Sequence, residues 1–399
     1  MYSNRVNTVG ESQTAKIAAV AIQMKKNKED IVDFTVGEPD FPTPSNIKQA
    51  AIDAIQKDFT KYTLVPGMVD LRQAIINKLK NDNNLEYDLD NIIVTSGAKQ
   101  AIFNIILSLI GKEDEVIIPG PYWVSYPEMV SIAEGTSVIV QAEEKNEFKI
   151  SARQLEDAIT DKTKAIILCN PSNPTGAVYS KSEIESLAGV FENKDIIIIS
   201  DEIYEKLTYD NIKYFSVASM SPTLKDKTVV INGLSKAYAM TGWRIGYAAG
   251  DKELIKRAVK LQGHSTTNAP TVSQYAGIEA LKGPQIEIKK MHQEFEKRRN
   301  FVYSKLMNIP GITCVKPQGA FYAFPNVSAY LNRSYDGHLI HNSDELALYL
   351  LNEAKVVLIP GSAFGSDDHL RISYASSIEQ LDEGLRRIES AFNRLKFNP

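Results

Sequence analysis

Seven short apolar runs, separated by helix-like stretches, are the feature that most constrains the fold of this chain. The runs cover residues 92–95, 116–119, 138–140, 165–169, 196–200, 229–231 and 245–249. A strand that is apolar without alternation is buried on both faces, which is typical of a parallel sheet covered by helices. The alternation of strands and helices therefore predicts an α/β fold with a mostly parallel sheet between helix layers.

The length of the chain predicts more than one domain, because 399 residues exceed the size at which a single hydrophobic core stops growing. Gly283 and Pro284 mark a stop, and residues 285–308 follow as a long charged helix candidate. We therefore expect an N-terminal arm over 1–45, a large domain over 46–284, and a linking helix with a smaller α+β domain over 285–399. We expect the arm to join the smaller domain, which would place a site at the junction of two lobes.

Lys236 follows Ser235 and precedes Arg244 by eight residues. A buried lysine has a lowered pKa, so its amine can form a Schiff base with an aldehyde cofactor, and the arginine could hold a phosphate of that cofactor. This spacing alone is a weak signal, because most lysines are exposed surface charges. The prediction therefore depends on partners elsewhere in the chain.

Three strand ends carry such partners. Asp201 follows the run 196–200, and open α/β sheets bind ligands at the carboxyl ends of their strands. Asp201 could pair with a protonated pyridine nitrogen and keep the ring an electron sink, while Tyr204 could donate to the ring's phenolic oxygen. Asn173 lies in a rigid turn with two Asn-Pro pairs. Residues 96–98 open a helix whose first amides could bind phosphate.

Together these motifs resemble the class I aminotransferases of the aspartate aminotransferase family, which are fold-type-I pyridoxal 5′-phosphate enzymes. The motifs occur in the family's order: Ser96-Gly97-Ala98-Lys99, Asn173-Pro174-Thr175-Gly176, Asp201-x-x-Tyr204, and Ser235-Lys236 with Arg244. The resemblance runs from near Ser12 to Arg371 and covers nearly the whole chain. It implies pyridoxal phosphate as the cofactor, and amino acids and 2-oxo acids as the substrates.

The resemblance assigns roles position by position. The implied catalytic residues are Lys236, Asp201 and Tyr204. The implied cofactor contacts are Ala98, Lys99, Trp123, Asn173, Asp201, Tyr204, Ser235, Lys236, Arg244 and, reaching the neighbouring subunit, Tyr62. The implied substrate contacts are Gly37, Lys99, Trp123, Asn173, Arg371, Ser12 and Thr14. The role of Tyr62 implies a homodimer, since the residue would have no role in a monomer.

One position departs from the family pattern. Some members carry a phosphate-binding serine three residues before the lysine, where this chain has Gly233. Ser235 could substitute for it, or the phosphate could depend more on backbone amides.

The preferred substrate is implied by Lys99. In one branch of the family a lysine at this position recognises the distal carboxylate of aspartate or glutamate, and Ser12 and Thr14 match the entrance segment of that branch. The resemblance therefore favours aspartate with 2-oxoglutarate, through a ping-pong mechanism. The alternative is that Lys99 is a residue of the first helical turn that points to solvent and has no role in substrate recognition. Aromatic amino acids, alanine or prephenate remain possible substrates, and a pyridoxal-phosphate lyase on the same fold remains a possible enzyme.

Charge and composition argue against several other classes of protein. A net charge of −4 without a Lys/Arg block argues against nucleic acid as a partner, and no run reaches the ~18 apolar residues of a membrane span. Cys169 and Cys314 are expected to be free thiols in a reducing compartment. No apolar segment of a secretory signal follows residues 1–5, so a cytoplasmic location is expected. No metal site is expected, because no third ligand accompanies His338 and His341.

Overall fold

The structure is a computed structural model that describes residues 3–10, 13–192 and 194–397. Its strands are β1 (Val32–Asp33), β2 (Ile92–Thr95), β3 (Glu115–Gly120), β4 (Thr136–Gln141), β5 (Thr163–Cys169), β6 (Ile197–Asp201), β7 (Thr228–Gly233), β8 (Gly246–Ala249), β9 (Tyr322–Ala323), β10 (Arg333–Tyr335), β11 (His338–Ile340), β12 (Val356–Val357), β13 (Ile359–Pro360), β14 (Leu370–Ser373) and β15 (Lys396–Phe397). Its α-helices are α1 (Asn4–Asn7), α2 (Gln13–Lys26), α3 (Ser45–Gln56), α4 (Val69–Asn83), α5 (Ala98–Leu109), α6 (Ser125–Ile132), α7 (Ala152–Ala158), α8 (Lys181–Glu192), α9 (Pro222–Lys227), α10 (Lys252–Gly263), α11 (Thr271–Lys282), α12 (Ile286–Met307), α13 (Ser343–Tyr349) and α14 (Ile378–Phe392). Within these described ranges, no helix combines the length and apolarity that a membrane crossing requires.

The seven predicted strands form one sheet in the order β2-β8-β7-β6-β5-β3-β4. Neighbours are parallel except at β8, which pairs antiparallel with β2 and with β7. Each predicted run overlaps its strand closely, as the run 116–119 does with Glu115–Gly120. The predicted fold class, with a mostly parallel sheet covered by helices, is confirmed.

Alternate residues of each strand point to opposite faces of this sheet, and both faces are covered. Ile92 and Val94 of β2 pack with α3, α4 and α11, whereas Ile93 between them packs with α5 and α10. All three side chains are fully buried. Burial on two faces removes the polar positions that a one-sided strand would carry, which explains the unbroken apolar runs.

The two ends of the chain meet outside the large sheet. β1 pairs in parallel with β12, and β13, β14 and β9 form a separate antiparallel sheet. Val32 of β1 shares a hydrophobic cluster with Val302 of α12 and Leu385 of α14. Helix α12 occupies the predicted charged stretch 285–308. These contacts support the division at 1–45, 46–284 and 285–399, which we retain as a proposal.

One edge of the large sheet gathers the carboxyl ends of most of its strands. β2 and β7 are both antiparallel to the strand between them, so they run in the same direction as β6, β5 and β3. The predicted site residues follow these ends: Ala98 and Lys99 after β2, Trp123 after β3, Asn173 after β5, Asp201 at the end of β6, and Lys236 after β7. The topology therefore positions the site, since carboxyl ends of parallel strands share one edge.

Candidate active site

A cavity of about 670 Å³ opens at this edge of the large sheet. Its walls include the residues that follow the strands, and three residues from outside the sheet, Gly37, Tyr322 and Arg371. The cavity therefore lies between the large sheet and the part of the chain built from its two ends. A ligand bound there would be enclosed by both parts of the protein.

Lys236 is half-buried on the loop after β7, and its amine donates a hydrogen bond to the carbonyl oxygen of Gly37. Burial lowers the pKa of Lys236 to about 8, with Glu38 opposing the shift and Arg371 and Arg244 adding to it. An amine with this pKa is partly neutral near pH 7 to 8 and can act as a nucleophile.

Asp201 is 4% exposed and lies at the base of the cavity. The hydroxyl of Tyr126 donates to Asp201 Oδ2 at 2.6 Å, and the Ile203 amide donates to Oδ1 at 3.3 Å. Burial raises the pKa of Asp201, while the two donors and Lys236 favour its charged form. The carboxylate is thus fixed in orientation and available to a cationic partner in the cavity.

Arg371, on β14 at the opposite wall, has no acidic partner among the residues that the structure describes. Its Nη1 donates to Asn173 Oδ1 at 3.1 Å and its Nη2 to the Thr35 carbonyl oxygen at 2.9 Å. Its Nε is buried and has no hydrogen-bond partner within the described part of the chain. A buried guanidinium with neutral partners retains its charge for a ligand carboxylate.

Tyr204 and Asn173 line the same cavity as Asp201 and Arg371. The hydroxyl of Tyr204 is 3.0 Å from that of Tyr322, and both phenols are buried. Asn173 is 7% exposed and engages Arg371 through its amide oxygen. Both predicted residues line the cavity, as does Gly37, where a Cβ would approach the Tyr322 hydroxyl to 3.4 Å.

An anion cradle forms where α5 begins. Gly97 has φ +87°, and a side chain there would collide with the guanidinium of Arg244. Arg244, itself left-handed at φ 55°, donates to the carbonyl oxygens of Thr241 at 2.9 Å and Ser96 at 3.3 Å. The first amides of the 12-residue α5, from Ala98, have no partners inside the helix. Guanidinium and amides together suit a phosphate.

The departure at Gly233 has a steric reason. A Cβ at this position would lie 2.9 Å from the Ile245 carbonyl oxygen of the adjacent strand segment. A serine side chain would therefore force the backbone of β7 and its neighbour apart. Ser235 is buried and lines the same cavity as Arg244, as does Thr241, so this chain has hydroxyl residues there without a serine at position 233.

Lys99 extends over Trp123, with its Nζ 4.7 Å from the ring centroid. Both side chains line the cavity, although Lys99 keeps part of its surface exposed. Partial burial, followed by the charge of Arg244, lowers the pKa of Lys99. Although Lys99 is exposed to solvent, its ammonium lies over a ring of the cavity wall, where an anionic substrate could reach it.

One predicted residue is not brought to the cavity of this single chain: Tyr62 is 89% exposed and does not line it. The predicted contact of Ser12 lies outside the described residues. The backbone of Thr14 belongs to helix α2, but its side chain is likewise outside what the structure describes, so both contacts stay predictions. The same helix contributes Ile22 and Lys25 to the cavity wall.

Among the cavity residues that sequence reasoning missed, Cys169, Tyr126 and Tyr322 lie closest to the proposed chemistry. Cys169 ends β5, so the rule that ligands bind at strand ends could have found it; burial raises its pKa to about 12, which leaves an inert thiol. Tyr126 lies three residues after Trp123, one helical turn away, and the spacing was a usable signal. Tyr322 offered no local signal, because its place depends on the pairing of β9 with β14.

Glu202, next to Asp201, is fully buried behind the cavity. Burial and the nearby Glu205 raise its pKa to about 7, although the hydroxyls of Ser216 and Ser200 donate to it and Lys78 opposes the shift. A carboxyl whose pKa rises on folding lowers stability where the unfolded chain releases its proton and the folded protein still holds it. The loss is absent below about pH 4.5, accumulates as the pH rises toward 7, and is complete above the folded pKa.

Glu202→Gln is therefore expected to be stabilised relative to wild type more strongly at pH 8 than at pH 5. The difference in unfolding free energy between variant and wild type should be about 2 kcal/mol larger at pH 8. Urea unfolding at both pH values measures it. Glu205→Gln is the matched control, because it leaves the buried Lys78 without its nearest carboxylate and should destabilise. Equal stability of Glu202→Gln and wild type at both pH values would contradict the assignment.

Known proteins share both the sequence and the fold of this chain. The sequence model of the family "Aminotransferase class I and II" matches residues 29–388. The aspartate aminotransferase of Bacillus sp. (strain YM-2) is 48% identical over 389 residues, which cover 98% of each chain. The probable aspartate/prephenate aminotransferase of Rickettsia felis is 47% identical over 393 residues, covering 98% of this chain and 96% of that one. The crystal structure of an aspartate aminotransferase from Rhizobium meliloti is 41% identical, with a TM-score of 0.96 and coverage of 99% and 100%.

Proposed function

Because the chain belongs to the class I and II aminotransferases, we propose that it uses pyridoxal 5′-phosphate to transfer an amino group from aspartate to 2-oxoglutarate. One observation carries the proposal. The cavity joins a lysine of lowered pKa, a buried carboxylate, an anion cradle and an arginine without an acidic partner. Each of these groups matches one chemical feature of the cofactor or of an amino acid.

The residues present fit the cofactor. Lys236 supplies the amine that an aldehyde requires, and Asp201 supplies a fixed carboxylate for a protonated pyridine nitrogen. The cradle of Arg244 and the first amides of α5 suits the phosphate, with Ser235 beside it. Tyr204 and Asn173 could serve the phenolic oxygen, and Trp123 the ring face. These roles are proposals that follow from the placement of each side chain.

When bound, the cofactor supplies an electron sink for the negative charge that develops at the substrate Cα. Arg371 binds the α-carboxylate through its fork of N–H donors and so orients the Cα–H bond. Lys236 Nζ removes the Cα proton as a base and returns it as an acid, which its pKa of about 8 allows near neutral pH. Asp201 holds a proton on the ring nitrogen. Two half-reactions at one site imply ping-pong kinetics.

The preference for aspartate is supported by Lys99 and by the names of the relatives. The ammonium of Lys99 lies in the same cavity as Arg371, so the two cations could each take one carboxylate of a dicarboxylic amino acid. The Rickettsia relative is named for aspartate and prephenate, so prephenate is the second acceptor to examine.

Lys99→Ala is expected to lower kcat/KM for aspartate about 10- to 100-fold more than for alanine or phenylalanine, because only aspartate has a distal carboxylate. Steady-state kinetics with each donor and 2-oxoglutarate measure the difference. Lys25→Ala is the matched control: it removes another cavity lysine, but one that is paired with Asp33 at 2.8 Å. Equal losses for all donors in Lys99→Ala would remove the argument for a dicarboxylic substrate.

The proposal includes a homodimer in the cytoplasm. Tyr62 is 89% exposed, and Phe59, Leu64 and Val69 around it are also exposed apolar side chains. A second copy of the chain covering this segment would bury them and could bring Tyr62 to the partner's phosphate. Cys169 and Cys314 are free thiols, which is consistent with a reducing compartment.

An amino-donor screen tests the proposed function. Purified protein is loaded with pyridoxal phosphate, its absorbance is followed, and each L-amino acid is offered with 2-oxoglutarate. The expected result is glutamate formation, fastest with aspartate and accompanied by oxaloacetate. Release of pyruvate with ammonia or sulfide from a cysteine-type substrate would indicate the lyase instead. Protein that stays colourless and yields no borohydride adduct at Lys236 would overturn the proposal.

A further inference from the structure

We propose that Tyr322 is a positioning residue that holds both Tyr204 and Arg371 in their working orientations. This inference rests on the proposed function, because those two residues have roles only when cofactor and substrate bind. Tyr322 lies on β9, beside the strand of Arg371, whereas Tyr204 follows β6 of the large sheet. A single buried side chain therefore contacts one residue from the large sheet, Tyr204, and one from the smaller sheet, Arg371.

The hydroxyl of Tyr322 contacts Tyr204. The two oxygens are 3.0 Å apart, and the rings meet nearly edge to face, with centroids 5.9 Å apart. A hydroxyl donates one hydrogen and accepts others, so the direction of this bond decides where the hydrogen of Tyr204 points. If Tyr322 donates, the hydrogen of Tyr204 is left for an acceptor in the cavity.

Charge favours Tyr322 as the donor. Burial raises the pKa of both phenols, but the charge of Arg371 holds the pKa of Tyr322 down, whereas the pKa of Tyr204 is raised well above its usual range. The guanidinium carbon of Arg371 is 4.5 Å from the centroid of the Tyr322 ring. The more acidic phenol is the better donor, so the charge of Arg371 favours donation from the Tyr322 hydroxyl to the Tyr204 hydroxyl.

The ring of Tyr322 contacts Arg371. The guanidinium carbon lies 4.5 Å from the centroid of this ring and 5.0 Å from that of Phe364. The hydrogen bonds to Asn173 and Thr35 fix two of its nitrogens, and the rings fix its plane. A planar guanidinium binds a carboxylate in bidentate fashion only when that plane is set.

The two contacts use different parts of one side chain, so they can be separated. Tyr322→Phe removes the hydroxyl and keeps the ring against Arg371. Tyr322→Leu removes the ring as well, and Tyr322→Met is a second ringless variant that fills more of the space. A residue that only filled volume would not give distinct losses for hydroxyl and ring.

The first measurement is the absorbance titration of the cofactor-loaded enzyme, which follows the proton on the nitrogen joining Lys236 to the cofactor. In Tyr322→Phe, Tyr204 should donate less to the phenolic oxygen, so that proton is held more tightly. The midpoint should rise by about 0.7 pH unit, a five-fold change in proton affinity. In a Tyr204→Phe background, Tyr322→Phe should add no further rise, because the pair acts as one unit.

The second measurement is the binding of succinate, an unreactive dicarboxylate, to the loaded enzyme. Tyr322→Phe should bind it within about two-fold of wild type, whereas Tyr322→Leu and Tyr322→Met should bind it about 10-fold more weakly. Tyr349→Phe is the matched control, since it removes a buried hydroxyl that donates to the Ala391 carbonyl oxygen at 2.7 Å, remote from the cavity. It should change neither measurement.

The inference would be overturned if Tyr322→Phe titrated as wild type while Tyr204→Phe did not, or if both ringless variants bound succinate as wild type does. Additive shifts in the double variant would also overturn it. These results are distinct from a failure of the proposed function, which would show in the wild-type protein as a lack of cofactor binding.

Discussion

Lys236→Ala is expected to lower kcat for transamination by about 10⁴-fold or more, with the folded protein intact. The variant loses both the amine that binds the cofactor covalently and the group that carries the Cα proton. Folding should survive, because within the described residues the lost side chain donates one hydrogen bond, to the Gly37 carbonyl oxygen, and the charges around it are mixed, with Glu38 and Asp201 opposed by Arg371 and Arg244. Steady-state rates with aspartate and 2-oxoglutarate, together with borohydride trapping and peptide mapping, measure the effect.

Lys252→Ala is a suitable control for this variant. Lys252 pairs with Asp88 at 2.7 Å on the surface, and its loss should change neither the rate nor the adduct. A Lys236→Ala protein that retained more than a few per cent of the wild-type rate would show that another amine performs the proton transfer. In that case the assignment of Lys236 would have to be withdrawn.

Arg371→Met is expected to lower kcat/KM for aspartate by about 10²- to 10³-fold, because a buried two-point contact with the α-carboxylate disappears. The change leaves no buried acid unpaired, since the partners of Arg371 are Asn173 and the Thr35 carbonyl oxygen. Arg371→Lys should recover little of the loss, because an ammonium lacks the planar fork. The kinetics and the inhibition constant of succinate measure the loss.

Arg244→Met is the comparison variant for Arg371→Met, because the two should affect cofactor binding and substrate binding in opposite order. Arg244 lies at the cradle beside Gly97, so its loss should weaken cofactor binding, measured by dialysis, more than substrate binding. Arg371→Met should do the reverse. If both variants weakened cofactor and substrate equally, the separation of the cavity into a phosphate end and a carboxylate end would be wrong.

The large sheet was predictable because each of its strands is buried on two faces and leaves a local apolar signature. The family and the aminotransferase activity were also predictable, since four motifs at strand ends occur in a fixed order, and both are confirmed. The direction of β8 was not predicted, because Gly246–Ala249 reads the same whichever way it pairs.

The site was predictable where residues follow a strand, and less so where they depend on distant pairing. Asp201 and Lys236 lie in the cavity because β6 and β7 end there. Tyr322 reaches the cavity only through the register of β9 with β14, which no local pattern encodes. The contact of Tyr126 with Asp201 could be predicted only if the orientation of α6 toward Asp201 were known. The roles of the individual residues remain predictions.

The pairing of β1 with β12 has a consequence for synthesis of the chain on the ribosome. Val32 precedes its partner Val356 by more than three hundred residues, so it leaves the ribosome long before that partner is translated. Contacts across such a separation form late, because the intervening segment must first be organised. The nascent protein can therefore complete the sheet edge around Asp201 and Lys236 well before Gly37 is anchored beside Arg371. A ribosome-stalled chain that ends before β12 would lack the carboxylate end of its pocket.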